Sequence, residues 1–356
     1  MPVVQLFPWI VLLLLTMSIP QLSKKSMTLL FIIISIFSCF RYGVGWDYYN
    51  YIMVIEEGGW MIERTEYLMR QLEYFVQFVG YPQLFFIITA LIINYCFFTT
   101  IDRYSQDKQL SVVLFLCLPV FFLSSLITIR FSLAVTLIFY AYRYVHKNIY
   151  IYLLFIIISL FIHKASFIAV LAIPFLYGWI RLNLQINIIV FVICFCIGGF
   201  LNMSSSFSDM ATFVLTQSGF LSETFEESMN YFDRDSGGFS RSPLLYAAIN
   251  ICNLIWYNRL TNNNSDDESK LYITMYNLGC SVMFLFSFEA TMASRLAQVF
   301  MVYLLLLCPS YNRFKIAKNV IIMIAIIAYL FQLSIHASHP DFEGRWNCFL
   351  PYRFAF

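Results

Sequence analysis

The sequence predicts an all-α, polytopic integral membrane protein with about 12 transmembrane helices, within a range of about 10 to 13. Hydrophobic residues make up 60% of the 356 residues and charged residues only 12%, and the mean hydropathy is +0.74. Apolar runs recur along the whole chain with short polar connections between them. No stretch is polar and long enough for a separate soluble domain. We therefore expect a single multispan membrane domain over 1–356, with short interfacial helices in its external loops.

The apolar runs define the predicted spans in chain order. They lie at 6–20, 27–40, 83–101, 110–127, 131–144, 149–162, 167–180, 186–201, 243–257, 271–288, 295–309 and 319–336. The first run lacks a basic region and a small-residue cleavage site, so we interpret it as a retained span rather than a signal peptide. The weaker segment 67–79 carries Arg70 and Glu73 and is followed by Gly80 and Pro82. We interpret this segment as an interfacial or re-entrant helix.

The distribution of Lys and Arg predicts the orientation. Alternate connections carry Lys24, Lys25, Arg103, Lys108, Arg143, Lys147, Arg181, Arg259, Lys270, Arg313, Lys315 and Lys318. Basic loops are typically cytoplasmic. The connections on that side then hold 12 basic and 5 acidic residues, against 10 basic and 15 acidic residues on the other side. We therefore expect both termini outside, with the external segments 41–82, 202–241 and 337–356 building or covering a site.

The run RYGVGWDYYNY (41–51) is unusual for so apolar a chain. It places Arg41, Asp47, two glycines and four tyrosines where a predicted span ends. The predicted topology puts further polar groups on the same external side: Arg130, His163 with Lys164, Glu289 and Arg295. A charge within a membrane helix costs about 2.5 to 3.5 kcal/mol on insertion scales. Several arginines on the disfavoured side therefore indicate an anionic ligand held at the outer leaflet.

Five segments of the chain form an ordered set: RYGVGWDYYNY (41–51), SSLITIRFSLAVTLIFYAYRYV (124–145), FIHKASFIAVLAIPF (161–175), SRLAQVFMVY (294–303) and PYRF (351–354). In sequence and in order, this set resembles the EpsG/Wzy-type polysaccharide polymerases. The resemblance implies a nucleotide-sugar-independent glycosyltransferase that polymerises lipid-linked repeat units of O-antigen, capsule or exopolysaccharide. Such an enzyme transfers the growing glycan from undecaprenyl pyrophosphate to the non-reducing end of an incoming lipid-linked repeat.

The resemblance also implies a location, partners and cofactors. The protein would lie in the bacterial cytoplasmic (inner) membrane with its active site facing the periplasm or exterior. Its partners would be an undecaprenyl-pyrophosphate-linked oligosaccharide, membrane lipids and a chain-length regulator protein, and no nucleic acid. No metal or other cofactor is expected.

This chemistry requires cations for the leaving pyrophosphate and a base for the acceptor hydroxyl. Arginine pairs with phosphate through two parallel hydrogen bonds and keeps its charge. The base candidates are Asp47, His163 and, less favoured, Glu289. We predict catalytic roles for Asp47, Arg130, His163 and Arg295. We predict substrate-binding roles for Arg41, Gly45, Tyr48, Tyr51, Lys164, Ser166, Arg241, Glu289, Tyr352 and Arg353.

Each choice has a simpler alternative. Helix-end arginines reach lipid headgroups in many membrane proteins, and tyrosines form interfacial belts. His163 with Lys164 would equally suit lipid phosphates. At the level of function, an O-antigen ligase or a membrane acyltransferase would use the same arginine chemistry. A lipid-linked oligosaccharide flippase or another transporter would instead place charges along a path at mid-membrane depth.

No recognised metal or disulfide pattern is present in the sequence. Nine cysteines lie mostly in apolar runs, without zinc-ligand spacing. The segment DRDSGG (233–238) begins like a calcium loop but has Leu244 where a bidentate carboxylate is required. The segment HASHPDFEGR (336–345) lacks a ligand spacing. We expect the long connection 202–241 to form either a solvated loop or a short amphipathic helix that gates access of lipid-linked substrate.

Overall fold

The computed structural model describes residues 3–19, 23–105, 107–203, 241–261, 266–287, 290–307, 311, 314–335 and 344–355. These residues form helices and one two-stranded antiparallel sheet, so the all-α prediction is confirmed. The chain divides into two compact units, Met1–Tyr177 with Val302–Phe356, and Gly178–Met301. The prediction of a single multispan domain stays a prediction.

The first unit contains most of the helices. In chain order these are α1 (Val3–Met17), α2 (Lys24–Cys39), α3 (Tyr48–Glu57), α4 (Trp60–Glu63), α5 (Tyr67–Val79), α6 (Gln83–Tyr104), α7 (Lys108–Cys117), α8 (Phe122–Ile127), α9 (Ile129–Ala141), α10 (Ile149–Ile162) and α11 (Ile173–Leu176). Strand β1 is Arg41–Tyr42, and two 3₁₀ helices cover Tyr142–Tyr144 and Lys164–Ala172.

The second unit continues the helical pattern. It holds α12 (Leu184–Met203), α13 (Arg241–Ile255), α14 (Tyr257–Leu260), α15 (Asp266–Leu285) and α16 (Ala290–Met301). Buried asparagines join three of these helices, because Asn250 Nδ2 donates to Asn277 Oδ1 at 2.7 Å and Asn277 Nδ2 donates to Asn187 Oδ1 at 3.1 Å. Interhelical side-chain hydrogen bonds of this kind are a common means of helix association in membranes. The chain then returns to the first unit with α17 (Leu304–Leu307), α18 (Lys315–Ser334) and β2 (Arg353–Phe354).

Where the structure describes them, the predicted spans fall mainly on helices, but several are interrupted. Only α6 and α18, among the described residues, are long and apolar enough to cross a membrane by length and composition. The predicted span 110–127 divides into α7 and α8 around Pro119, since proline lacks the N–H that a continuous helix needs. The predicted span 167–180 is largely 3₁₀ helix followed by the four-residue α11. The twelve-crossing topology stays a prediction.

Helix α5 occupies the segment predicted to be interfacial. At 13 residues it is about 20 Å long, well short of a hydrocarbon core of about 30 Å. Its exposed face carries Phe75 and Phe78, whereas Met69, Glu73 and Val76 are buried. This short amphipathic helix packs against α3, α4, α6 and α10.

The polar groups of the first unit lie at opposite ends of its helices. At one end, Lys108 Nζ lies 2.5 Å from Asp102 Oδ1 and Lys318 Nζ lies 2.5 Å from Asp107 Oδ2. These residues belong to the basic connections predicted to be cytoplasmic. The opposite end of the unit holds residues 41–51 and 344–355. Four helix termini lie there as well: the start of α6, the end of α8, the start of α9 and the end of α10. The candidate site is at this second end.

Candidate active site

The carboxyl-terminal segment packs directly on the run 41–51. Strands β1 and β2 pair antiparallel, with Arg41 opposite Phe354 and Tyr42 opposite Arg353. The Gly45 N–H donates to the Cys348 carbonyl at 2.8 Å. Two segments of the family resemblance, about 300 residues apart in the sequence, are therefore neighbours in the structure.

Arg41 is buried where residues 41–51 and the carboxyl-terminal segment pack together. Its side chain is 1% exposed, its Nη1 donates to the Ser38 carbonyl at 2.8 Å, and its guanidinium lies 4.9 Å from the Phe86 ring centroid. Burial lowers the pKa of Arg41 to about 10, so it remains a cation at neutral pH. The structure places Arg41 where it stabilises the segment, and its predicted contact with substrate stays a prediction.

The three tyrosines predicted to bind substrate, Tyr48, Tyr51 and Tyr352, are also buried. The Tyr48 hydroxyl donates to Gln83 Oε1 at 3.0 Å, and Gln83 Nε2 donates to the Cys39 carbonyl at 2.6 Å. The Tyr352 hydroxyl donates to the Phe37 carbonyl. Burial raises the pKa of Tyr48 to about 12, so its hydroxyl keeps its hydrogen. These hydroxyls bond within the protein, whereas Arg353 is exposed on β2.

Gly45 lets the run 41–51 pack closely against α8. Its φ is +101°, a backbone conformation that side-chain-bearing residues rarely adopt, and a Cβ here would lie 2.1 Å from the Leu126 carbonyl oxygen. Only glycine fits such a close approach. Leu126 lies near the end of α8, immediately before the helix that carries Arg130.

Arg130, Tyr51 and Glu66 form the centre of the site. Arg130 lies at the start of α9, and its Nη1 is 2.9 Å from Glu66 Oε2. Tyr51 acts electrostatically with Arg130, whose positive charge lowers the Tyr51 pKa, but burial has the larger effect and raises it. The Arg130 side chain is 32% exposed and that of Glu66 is 14% exposed. Glu66 therefore fixes the guanidinium in position, while part of the Arg130 side chain stays exposed.

The end of α10 closes the site on a second side. The backbone N–H of Lys164 donates to Glu66 Oε1 at 3.4 Å, and the Lys164 side chain is exposed. Asp47 precedes α3 and acts electrostatically on Tyr51. The structure thus brings together Asp47, Tyr51, Arg130 and Lys164, four of the residues predicted from the sequence.

His163 ends α10 with its ring oriented by the backbone. Its Nδ1 accepts a hydrogen bond from the Ala165 N–H at 3.2 Å, and its ring meets Phe131 edge-on at 5.2 Å. In a neutral imidazole one nitrogen accepts and the other donates. The neutral ring therefore carries its hydrogen on Nε2 and offers a donor there. The nearby Ser166 hydroxyl is buried and has no hydrogen-bond partner within the described residues.

Glu66 and Glu73 were not predicted from the sequence as site residues. Glu73 is fully buried, and its Oε2 lies 2.7 Å from Thr65 Oγ1. Burial, the largest influence, raises the pKa of Glu73 to about 7. The sequence signal was present, because residues seven apart lie on one face of a helix. Both carboxyls therefore lie on the side of α5 that faces Arg130.

The remaining predicted site residues lie elsewhere in the chain. Arg295 is partly buried on α16, and Arg241 is the first residue of α13, both in the second unit. Glu289, most of the 202–241 connection, DRDSGG and residues 336–343 lie outside the described residues. No group of three or more metal-ligating side chains occurs in the part of the chain that the structure describes.

Comparison with known proteins gives one match. A search of curated proteins found no match, and a search of solved structures found none. The model of the EpsG family matches residues 24–354, nearly the whole chain, and thereby includes every residue of the site described above. Together with the apolar helices, this match indicates a membrane protein with a polymerase-type role in polysaccharide biosynthesis. The chain belongs to the EpsG family.

Proposed function

We propose that this protein polymerises lipid-linked oligosaccharide repeat units, transferring the growing glycan from undecaprenyl pyrophosphate to the non-reducing end of an incoming lipid-linked repeat. The observation that carries this proposal is the guanidinium of Arg130. It is paired with Glu66 at a helix end and interacts electrostatically with Tyr51, and the Arg130 side chain remains partly exposed. A fixed cation at such a position suits a lipid pyrophosphate lying at the membrane surface.

In the proposed reaction, the acceptor hydroxyl oxygen forms a bond to the anomeric carbon of the donor glycan. The bond from that carbon to the pyrophosphate oxygen breaks, and its electron pair stays on the pyrophosphate. The negative charge that develops on the leaving group is stabilised by Arg130, because a preorganised guanidinium in a partly dry site needs little rearrangement. Lys164, exposed beside Glu66, adds a second cation for the phosphates.

In this proposal Asp47, rather than His163, accepts the proton that the acceptor hydroxyl loses. The Nδ1 lone pair of His163 already accepts from the Ala165 N–H, so the neutral ring presents a hydrogen at Nε2 and orients a sugar oxygen. Asp47 is half-buried at the start of α3, and its side chain does not cap that helix. A carboxylate so placed is suited to accept the proton.

The test uses purified protein and a lipid-linked repeat unit, with the products resolved on a gel. A ladder of product lengths supports the polymerase. Transfer of glycan to lipid A would indicate a ligase, and no covalent change would indicate a transporter, so either result would overturn the proposal. Vesicles with the active face outward should elongate externally added repeats, since we propose that the site faces the periplasm or exterior of the bacterial inner membrane.

A further inference from the structure

Glu73 is a buried acid beside the proposed donor site that the mechanism above does not use. It lies on the buried face of α5, with its side chain fully enclosed. Its Oε1 has no hydrogen-bond partner among the described residues, and its Oε2 contacts only the Thr65 hydroxyl among the hydrogen bonds recorded for it. An ionised carboxylate in such surroundings would be strongly destabilised, because burial without compensating hydrogen bonds is costly.

Counting hydrogens at Thr65 gives an independent indication of the state of Glu73. Thr65 Oγ1 lies 2.8 Å from the Ile62 carbonyl oxygen and 2.7 Å from Glu73 Oε2. A hydroxyl carries one hydrogen, and a carbonyl only accepts. If Glu73 were ionised, one of these short contacts would join two oxygens with no hydrogen directed between them. If Glu73 is protonated, it donates to Thr65, Thr65 donates to Ile62, and both contacts are hydrogen bonds.

The surrounding charges act on Glu73 in both directions and do not outweigh its burial. Arg130 is already paired with the Glu66 carboxylate at 2.9 Å, and Arg70 Nη2 donates to the carbonyls of Glu63 and Thr65. Glu66 raises the pKa of Glu73, whereas Arg130 and Arg70 lower it, and burial has the largest effect. The elements around α5 contribute further titratable groups. Helices α3 and α4 carry Tyr48, Tyr49, Tyr51, Glu56, Glu57 and Glu63, and Asp47, His163 and Lys164 lie at the ends of α3 and α10.

We propose that Glu73 is a neutral carboxylic acid in the resting site, and that its proton keeps the cluster of Arg130, Glu66 and Glu73 free of net negative charge so that an anionic lipid pyrophosphate binds. This role rests on the proposed function. Glu73 is a positioning residue, because it acts on the donor through Arg130. Its ionisation adds one negative charge beside the guanidinium, and donor affinity then falls with rising pH, by at most about tenfold per pH unit above the Glu73 pKa.

Kinetics of Glu73→Gln test this role. Glutamine keeps the shape of the acid, and its amide N–H replaces the hydrogen donated to Thr65. In the wild type, the KM for the lipid-linked donor should rise above about pH 7 while kcat changes little, and the variant should show no such rise between about pH 6 and pH 9. Loss of turnover in Glu73→Gln at the acidic end of this range, or equal rises of KM in both proteins, would overturn the proposal.

Infrared spectroscopy tests the proton without requiring any activity. Substrate-free wild type at about pH 6 should show the carbonyl stretch of a protonated carboxylic acid. That band should shift on ¹³C-labelling of glutamate, disappear as the pH is raised, and be absent from Glu73→Gln but present in Glu66→Gln. If Glu73→Gln does not fold, the labelled wild type alone still reports the band. The absence of a titrating acid band would refute the presence of a proton on Glu73. A clear band in a protein that forms no ladder would refute the proposed function instead.

Discussion

Replacing Gly45 by alanine should disrupt the site from a distance, because this glycine sets the approach of residues 41–51 to α8. The new Cβ would lie 2.1 Å from the Leu126 carbonyl oxygen, at a φ of +101°. Gly80 provides a matched control. It also has a positive φ, of +73°, but a Cβ there would meet no atom within 4 Å. The pair of variants therefore separates steric clash from backbone strain.

The magnitude follows from these distances. Both alanines lose about 1–2 kcal/mol from the left-handed backbone conformation and regain about 0.4–1 kcal/mol through a less flexible unfolded chain. For Gly45→Ala, ordinary contact begins at 3.4 Å, so the backbone must separate by a further 1.3 Å. Overpacking of this kind costs about 1–3 kcal/mol. We expect losses in the free energy of unfolding of about 2–4 kcal/mol for Gly45→Ala and about 1 kcal/mol for Gly80→Ala.

Thermal unfolding of the two variants in the same detergent measures this difference. Gly45→Ala should unfold at a clearly lower temperature than Gly80→Ala. It should also polymerise poorly even where it is folded, because a shift of the α8 end moves the start of α9 and with it Arg130. Equal unfolding temperatures for the two variants would show that the close approach at Leu126 does not stabilise the fold.

The remaining predictions concern the site and its orientation. Arg130→Lys should lose most ladder formation although the variant is present in the membrane at normal levels, because lysine lacks the planar fork of arginine. Full activity would show that Arg130 only anchors the protein in the membrane. Arg64→Lys, at an exposed arginine, is the control. Asp47→Asn should abolish turnover in the gel assay, whereas His163→Gln should keep a reduced ladder because an amide N–H replaces the imidazole donor; the reverse result would make histidine the base. Reporter fusions at Asp209 should score external and those at Lys147 cytoplasmic, and a cytoplasmic score at Asp209 would overturn the topology.

Much of the helical framework was predictable because apolar periodicity is a local property of the chain. The predicted span 149–162 coincides with α10, and the spans at 83–101 and 319–336 lie almost wholly within α6 and α18. The interruptions were less predictable. A mean hydropathy over 110–127 does not register that Pro119 ends one helix and that another begins at Phe122. Nor does it distinguish the 3₁₀ geometry of Lys164–Ala172 from an α-helix.

The sequence by itself determined the class of protein and the helical framework, and it placed Asp47, Tyr51, Arg130 and Lys164 within a larger set of polar residues expected on one side. Composition and the alternation of basic loops depend only on the order of residues along the chain, so they can be determined without knowing the fold. Only the tertiary structure decided which charges are enclosed. Arg41 is buried, and Glu66 forms an ion pair with Arg130, which lies 64 residues away in the sequence. The packing of α5 onto the end of α10 placed Glu73 where it cannot reach water. The surroundings of a charged side chain depend on residues distant in the chain, and a single sequence does not specify which of its many distant pairs will meet.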